Sequence, residues 1–296
     1  MPSFFDRLAT AVKQKRTPLV VGLDPRYASL PKSLQRGDAL DARAAAFREF
    51  SIGLLDVVAP LVPAVKPQVA FFEQLGWRGM QALADVVEHA KKLGVLVIAD
   101  AKRNDIGSTA EGYADGWLGE QSPWRGDALT ISPYLGDDSL EPFVRTAKER
   151  NAGLFVLVKT SNPGGKFLQD LTAGERTIYG TVGDLVESLS RDLAGECGYG
   201  VAGAVVGATY PEQLAELRAR MPHTWFLVPG YGSQGGTAAD VAGAFDSSGL
   251  GAVVNSSRAI IFAHARDEFA GLDWQQAVEA ATQQAIADLG TACPLA

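Results

Sequence analysis

Eight short apolar runs recur along the chain and alternate with segments of helical periodicity. Each run is nearly continuous, which is typical of a strand buried on both faces of a parallel sheet. The runs occupy 19–24, 64–72, 95–99, 128–133, 154–161, 201–209, 225–230 and 251–257. Pro67 is unusual inside the second run, because proline cannot donate to a strand ladder. Eight strands that alternate with helices predict an α/β fold and favour a closed (β/α)8 TIM barrel, with an open doubly wound sheet as the alternative.

The intervals between the runs carry the pattern of amphipathic helices. Residues 3–15 place apolar side chains on one side of a helix, and Ser3 stands at the N-cap position. Further helices are predicted at 40–60, 76–93, 139–150 and 211–220, and from the last strand to about residue 289. No linker-like or low-complexity stretch divides the chain. Residues 1–296 are therefore predicted to form one barrel domain with an N-terminal helix and a C-terminal helical extension.

Charged residues follow directly on the third run. Asp100 and Lys102 are two apart and share a face of the strand, while Asp105 lies in the loop just beyond. Residues 106–109 read as a turn of small residues rather than a solvated charged face. Charges at the mouth of a buried strand are costly unless they pair with each other or take part in chemistry. A structural ion pair is the alternative, and we favour a functional site.

Polar residues also follow the other runs. In a barrel of this kind the chemistry lies at the C-terminal ends of the strands. Those ends carry Asp24, Lys66, Asp100, Lys102, Ser132, Thr160, Ser161, 230–236 and 255–258. This concentration of polar residues where the strands end indicates an enzyme.

A glycine-rich segment after the seventh run predicts an anion site. Residues 228–236 contain four glycines, which let backbone N–H groups approach a ligand closely. Arg258 follows the eighth run, and the loops after strands seven and eight commonly bind phosphate in this fold. A flexible turn with a surface arginine is the alternative. The segment 162–183 is longer than an ordinary βα loop, and a lid and an insertion without a role are equally compatible with it.

Composition narrows the function classes. The chain has 296 residues and a net charge of −7, so it has no general basic field for nucleic acid. Its two cysteines form no disulfide framework, and its three histidines are scattered, so we expect a reducing cytoplasm and no metal site. The N-terminus lacks the apolar core of a signal peptide, and no apolar run approaches the ~20 residues of a membrane span.

The charged residues suggest a decarboxylation. A lysine flanked by acids is expected to stay protonated and to act as a general acid. An acid beside the negative group of a substrate would repel it and favour its loss. We therefore expect Lys102 to give a proton to the carbon that loses carbon dioxide, without a metal.

Residues 100–109, Asp-Ala-Lys-Arg-Asn-Asp-Ile-Gly-Ser-Thr, closely resemble the signature of the orotidine 5′-phosphate decarboxylase family. The resemblance extends to 22–24, Lys66, 160–164, 229–236 and Arg258, and so covers essentially all strand ends. The longer inserts and residues 65–73 resemble the larger bacterial subgroup, type 2. The resemblance implies conversion of orotidine 5′-phosphate (OMP) to UMP and carbon dioxide in de novo pyrimidine biosynthesis, with no cofactor.

The resemblance also implies roles for the central charges. Lys102 would protonate C6 of the pyrimidine, and Asp100 would face the substrate carboxylate. Lys66 and Asp24 would hold the ribose and the charge network. Asp105 would come from the neighbouring subunit, with Ile106 and Thr109 beside it. The active unit would then be a homodimer with shared active sites.

At the other end of the site, the resemblance implies contacts to base and phosphate. Ser161 would hydrogen-bond the pyrimidine, although Thr160 is an alternative. Gln234 would bridge base and phosphate as the glycine-rich loop closes. The remaining substrate contacts would be Pro229, Gly235 and Arg258, of which the last two hold the phosphate.

Two other functions compete with this one. A related sugar-phosphate decarboxylase of the 3-keto-gulonate phosphate type resembles this chain at Asp100 and Lys102. That type normally needs a magnesium carboxylate site near strand two, where this chain has Lys66. A non-enzymatic ligand-binding barrel would have no reason to keep Asp100, Lys102 and Asp105 together.

Overall fold

The computed structural model describes residues 2–293 and 295, and its centre is a ring of eight parallel strands. The strands are β1 (Leu19–Leu23), β2 (Ala64–Pro67), β3 (Leu96–Arg103), β4 (Ala128–Ile131), β5 (Gly153–Lys159), β6 (Ala202–Val206), β7 (Phe226–Val228) and β8 (Ala252–Ser256). They are ordered around the ring as in the chain, and β8 pairs with β1. This closure confirms the TIM barrel and excludes the open sheet.

Helices surround the ring. They are α1 (Phe4–Lys15), α2 (Leu40–Val58), α3 (Val69–Glu73), α4 (Gly76–Lys92), α5 (Gly107–Leu118), α6 (Glu141–Arg150), α7 (Lys166–Gln169), α8 (Ile178–Arg191), α9 (Pro211–Arg220), α10 (Ala238–Val241), α11 (Arg258–Ile261) and α12 (Trp274–Gly290). Helix α2 packs between α4 and α12, and α5 packs against α6. Among the helices of the described residues, none has the length and apolar character that a membrane span requires.

The inside of the barrel is filled by a layer of apolar side chains, and α1 covers this layer at one end of the barrel. Each strand contributes one member: Val20, Ala64, Ile98, Ala128, Phe155, Val205, Leu227 and Val253. Phe4 and Phe5 of α1 belong to the same cluster. A Cβ at Gly153, the first residue of β5, would lie 2.2 Å from the Phe4 ring, so α1 sits at the amino-terminal end of the strands. The predicted cap is confirmed, because Ser3 Oγ accepts from the backbone N–H of Asp6 at 3.1 Å.

The second predicted strand, 64–72, is too long. Strand β2 ends at Pro67, and residues 69–73 form the short helix α3. Proline has no N–H to donate, so it weakens the ladder at the position where the regular strand ends. The backbone N–H of the next residue, Gln68, donates to the carbonyl of Leu23 on β1 at 3.1 Å.

Two other segments differ from the sequence prediction. Strand β3 runs past the predicted end at Ala99 as far as Arg103, and the supposed turn 106–109 contains the first residues of α5. The long segment 162–183 is not an open loop. It contains α7, a hairpin in which 172–173 pair with 176–177, and the start of α8.

The closure by α1 makes a prediction about stability. Phe5 is buried against Phe155 and Trp225, with ring centroids 5.5 Å and 6.0 Å away. Phe5→Ala should lower the free energy of unfolding by about 3–5 kcal/mol, because the apolar contact is lost and a cavity remains. Lys13→Ala, on the exposed side of the same helix, should change it by less than about 0.5 kcal/mol. Urea unfolding followed by circular dichroism measures both, and equal effects would contradict the closure.

Candidate active site

A cavity of about 420 Å³ lies where the carboxyl ends of the strands meet. Its floor includes Leu157, Val205 and Leu227, which belong to or pack against the apolar layer inside the barrel. Eight of the twelve predicted site residues line it: Asp24, Lys66, Asp100, Lys102, Ser161, Pro229, Gln234 and Arg258. The barrel therefore brings together residues that lie up to 234 positions apart, since 258 − 24 = 234.

The other four predicted residues are not among the described residues that line this cavity. Asp105 turns its carboxylate back to its own loop, where it accepts from the backbone N–H of Ile106 at 2.9 Å. Ile106 is 56% exposed, and Thr109 and Gly235 are also exposed. Within one chain, these residues are thus at the rim or outside.

Asp100 is the centre of the charge network. One carboxylate oxygen, Oδ2, accepts from Lys66 Nζ at 2.6 Å and from Gln68 Nε2 at 3.0 Å. The other, Oδ1, accepts from Lys102 Nζ at 2.5 Å and from Thr130 Oγ1 at 3.0 Å. Asp100 and Lys66 are both buried, whereas the Lys102 side chain is 46% exposed to the cavity side. The carboxylate thus pairs with one buried ammonium, that of Lys66, and with one accessible ammonium, that of Lys102.

The two ammonium groups decide the ionisation of Asp100. Burial alone would raise the pKa of this carboxyl, but Lys66 and Lys102 outweigh it and hold the pKa well below its usual range. Burial would likewise lower the pKa of Lys66, but the charges of Asp100 and Asp24 outweigh it, and the net shift is upward. Asp100 is therefore an anion and Lys66 a cation at neutral pH.

Lys102 reaches Asp100 through an unusual backbone. The register between β3 and β4 shifts between Ala99 and Arg103, and Lys102 has a φ of 49°. A non-glycine residue in this left-handed region costs about 1–3 kcal/mol. Its backbone N–H donates to Thr130 Oγ1 at 2.9 Å, and the same hydroxyl donates to Asp100. Thr130 thus holds both the strained backbone and the carboxylate.

Two buried oxygen atoms beside the cavity lack partners. Asp24 Oδ1 and Asn255 Oδ1 have no hydrogen-bond partner within residues 2–293 and 295, although both residues line the cavity. A buried acceptor without a donor is costly, so these atoms are candidates to accept from hydroxyl or amino groups of a ligand.

The glycine-rich loop forms the opposite wall. Ser161 Oγ donates to Gln234 Oε1 at 3.0 Å, which joins the end of β5 to this loop. The guanidinium of Arg258 donates to the carbonyl of Ser233 at 3.4 Å. Tyr231, near the start of the loop, donates its hydroxyl to Asp288 of α12 at 2.5 Å. A cation and a loop with φ of 100° at Gly230 and 98° at Gly235 suit an anion at this end.

Sequence reasoning missed Gln68 and Thr130, whereas Asn255 belongs to the polar residues 255–258 expected at the end of the eighth run. Gln68 comes two positions after Lys66, so the two share a face of the strand, and Thr130 is a polar residue inside an apolar strand. These two features of the sequence could have identified both residues as candidates for the site. Their contact with Asp100 depends on how β2, β3 and β4 lie side by side, which the pattern of one strand does not contain.

Known proteins resemble this chain over most of its length. A model of the orotidine 5′-phosphate decarboxylase / HUMPS family matches residues 17–270. The orotidine 5′-phosphate decarboxylase of Rhodopirellula baltica is 55% identical over 96% of this chain and 98% of its own. That of Deinococcus radiodurans is 42% identical over 95% and 94%. The structure of Leishmania donovani OMP decarboxylase has 34% identity and a TM-score of 0.77 and covers 98% of both chains.

The chain belongs to the orotidine 5′-phosphate decarboxylase / HUMPS family. The matched range 17–270 contains all twelve predicted site residues, including the four at the rim. Among the described residues of this family member, no group of three or more His, Cys, Asp or Glu side chains is arranged to hold a metal ion. In the second strand the position beside Asp100 is filled by the ammonium of Lys66.

The charge network predicts how acid affects this family member. Because the pKa of Asp100 is lowered by folding, its ionised form stabilises the fold above about pH 4, and this contribution is lost as the pH falls further. Lys66→Met removes one ammonium and should raise the pKa of Asp100 in the folded state towards that of the unfolded chain, so less stability should be lost as the pH falls below about 4. Urea unfolding at stepped pH values from about 7 to 3 measures the free energy of unfolding.

The matched control is Lys92→Met, which removes a surface ion pair with Glu88. Such pairs contribute about 0–1 kcal/mol, so this variant should follow the wild-type pH profile. If Lys66→Met also followed it, the coupling between Lys66 and Asp100 would be wrong.

Proposed function

We propose that this chain is an orotidine 5′-phosphate decarboxylase of the larger bacterial subgroup, type 2, which forms UMP and carbon dioxide in pyrimidine biosynthesis. The observation that carries the proposal is the ammonium of Lys102 beside the buried Asp100 carboxylate, in the same cavity as the glycine-rich loop and Arg258. The sequence relatives and the Leishmania donovani structure support it.

The reaction needs an anion to lose carbon dioxide and a proton to replace it. The bond between C6 and the carboxylate breaks, its electron pair stays on C6, and carbon dioxide leaves. Lys102 then donates a proton from Nζ to C6 and becomes a neutral amine. Asp100 Oδ1, 2.5 Å away, holds the ammonium in place and repels the substrate carboxylate before it departs.

The rest of the cavity would bind the other parts of the substrate. Asp24, whose buried Oδ1 has no partner in the part of the chain that the structure describes, and Lys66 suit the ribose hydroxyls. Ser161 is favoured over Thr160 for the base, because the Thr160 hydroxyl already makes two hydrogen bonds, to Asn162 and Gln169, whereas the Ser161 hydroxyl makes one, to Gln234. The phosphate contacts would be Gln234, Gly235 and Arg258, with Pro229 beside the base.

The proposal includes a homodimer with shared active sites. Asp105, Ile106 and Thr109 would complete the site of the partner rather than their own, which accounts for the half-buried position of Asp105 and the exposure of Ile106 and Thr109. Three further large apolar side chains near the ends of β3 and β4 are exposed: Tyr113, Tyr134 and Leu135. Exposed apolar surface of this kind fits an interface between subunits.

The reaction as proposed needs no cofactor or metal, because Asp100 and Lys102 supply the charge and the proton. We place it in the cytosol, where the free thiols of Cys197 and Cys293 remain reduced. A magnesium-dependent sugar-phosphate decarboxylase is disfavoured because the ammonium of Lys66 lies 2.6 Å from the carboxylate that a cation would need.

Loss of OMP absorbance in the presence of a chelator tests the activity. The wild type should turn over, and Lys102→Ala should lose about 10²–10⁴-fold or more in kcat, the contribution of a positioned general acid. Lys148→Ala, an exposed lysine on α6, should match the wild type. Turnover that requires magnesium would favour the sugar-phosphate enzyme, and no activity on any phosphate would favour a ligand-binding barrel.

Mixing two inactive variants tests the shared site. A heterodimer of Lys102→Ala and Asp105→Ala has one site with both native residues and one site with neither. Random mixing in equal amounts should therefore restore about one quarter of the wild-type activity. Mixing Lys102→Ala with the double variant should restore none, and no recovery in the first mixture would count against the shared site.

A further inference from the structure

One buried cation has no part in the reaction proposed above. Lys159 ends β5, and its side chain is wholly buried. Its ammonium forms an ion pair with Asp170, directly after α7, and lies 4.4 Å from the ring centroid of Tyr210 and 5.4 Å from that of Tyr179. An ammonium this deeply buried needs a counter-charge. The ion pair therefore ties the end of α7 to the end of β5.

The chain between these two residues bonds back to the rim of the cavity. The backbone N–H of Thr160 donates to Gln169 Oε1 at 3.1 Å, and Gln169 Nε2 donates to Thr160 Oγ1 at 2.8 Å. Gly165 packs into the same contact, where a Cβ would lie 2.9 Å from Gln169 Oε1 and 3.0 Å from Thr160 Oγ1. This fit leaves little room for α7 to move while the ion pair holds.

Ser161 follows Thr160 and contacts the other side of the cavity. Its hydroxyl donates to Gln234 Oε1 at 3.0 Å, and its carbonyl accepts from Thr209 Oγ1 at 3.0 Å. A continuous series of contacts thus leads from the buried ion pair through Gln169 and Thr160 to Ser161 and the glycine-rich loop.

We propose that Lys159 and Asp170 are positioning residues, whose ion pair holds α7 against Thr160 and thereby orients Ser161 and Gln234 for the substrate. The proposal rests on the function proposed above, which assigns these two side chains to the base and phosphate. It gives the segment 163–170 a part in the site, in contrast to an insertion without a role.

Asp170→Asn tests the proposal, because it keeps the shape of the side chain and removes its charge. Hydrogen exchange of the backbone amides in 160–170 should become about tenfold faster, as expected for the loss of a charge-assisted hydrogen bond. The KM for OMP should rise about tenfold while kcat stays within about threefold, because binding is affected and the proton donor is not. Asp170→Glu should restore most of both values.

Arg176→Ala is the matched control. Arg176 lies in the neighbouring hairpin, and the variant removes its exposed ion pair with Asp184 of α8. It should leave exchange in 160–170 and KM unchanged. Wild-type exchange and KM in Asp170→Asn would overturn the proposal. So would a loss of activity that only follows the unfolded fraction seen by circular dichroism. An inactive wild type would instead contradict the proposed function. Hydrogen exchange is measured without substrate, so it tests the positioning role even if the proposed function is wrong.

Discussion

The structure depends on a buried carboxylate that lies between two ammonium groups. Asp100 would be costly to bury alone, and so would Lys66. Their pairing works because β2 and β3 are adjacent in the barrel and because Gln68 and Thr130 fill the remaining hydrogen-bond positions. The result is a fixed negative charge next to an accessible ammonium, which is the arrangement that a decarboxylation with proton replacement requires.

Backbone strain accompanies this arrangement. Lys102 adopts a left-handed conformation near the end of β3, where the pairing with β4 is interrupted between Ala99 and Arg103. The hydroxyl of Thr130 compensates in part, because it bonds both the backbone of Lys102 and the carboxylate of Asp100. A strained residue at this place fits the general tendency of functional sites to use conformations that the surrounding fold enforces.

The barrel and most of the cavity could be predicted from the sequence, because both follow from local pattern. Continuous apolar runs predicted the strands, and the polar residues that follow them predicted a site at the carboxyl ends of the strands. The strand predicted at 64–72 was wrong beyond Pro67, since four residues of strand and five of helix are too short for periodicity to separate. Gln68 and Thr130 were missed because their role arises from neighbouring strands. Asp105 lies outside the cavity of its own chain because of the path that the chain takes after β3. The spacing between Lys102 and Asp105 in the sequence does not predict that path.

The floor of the cavity is also the upper part of the barrel core. Leu157, Val205 and Leu227 face the ligand space and pack with the layer that holds the strands together. A larger base would demand smaller side chains here, and each such change would loosen the interior packing of the whole ring. Altered substrate preference should therefore evolve more easily in the surrounding loops than beneath the base. Beneath the base, the same side chains determine both the fit to the ligand and the resistance of the barrel to heat.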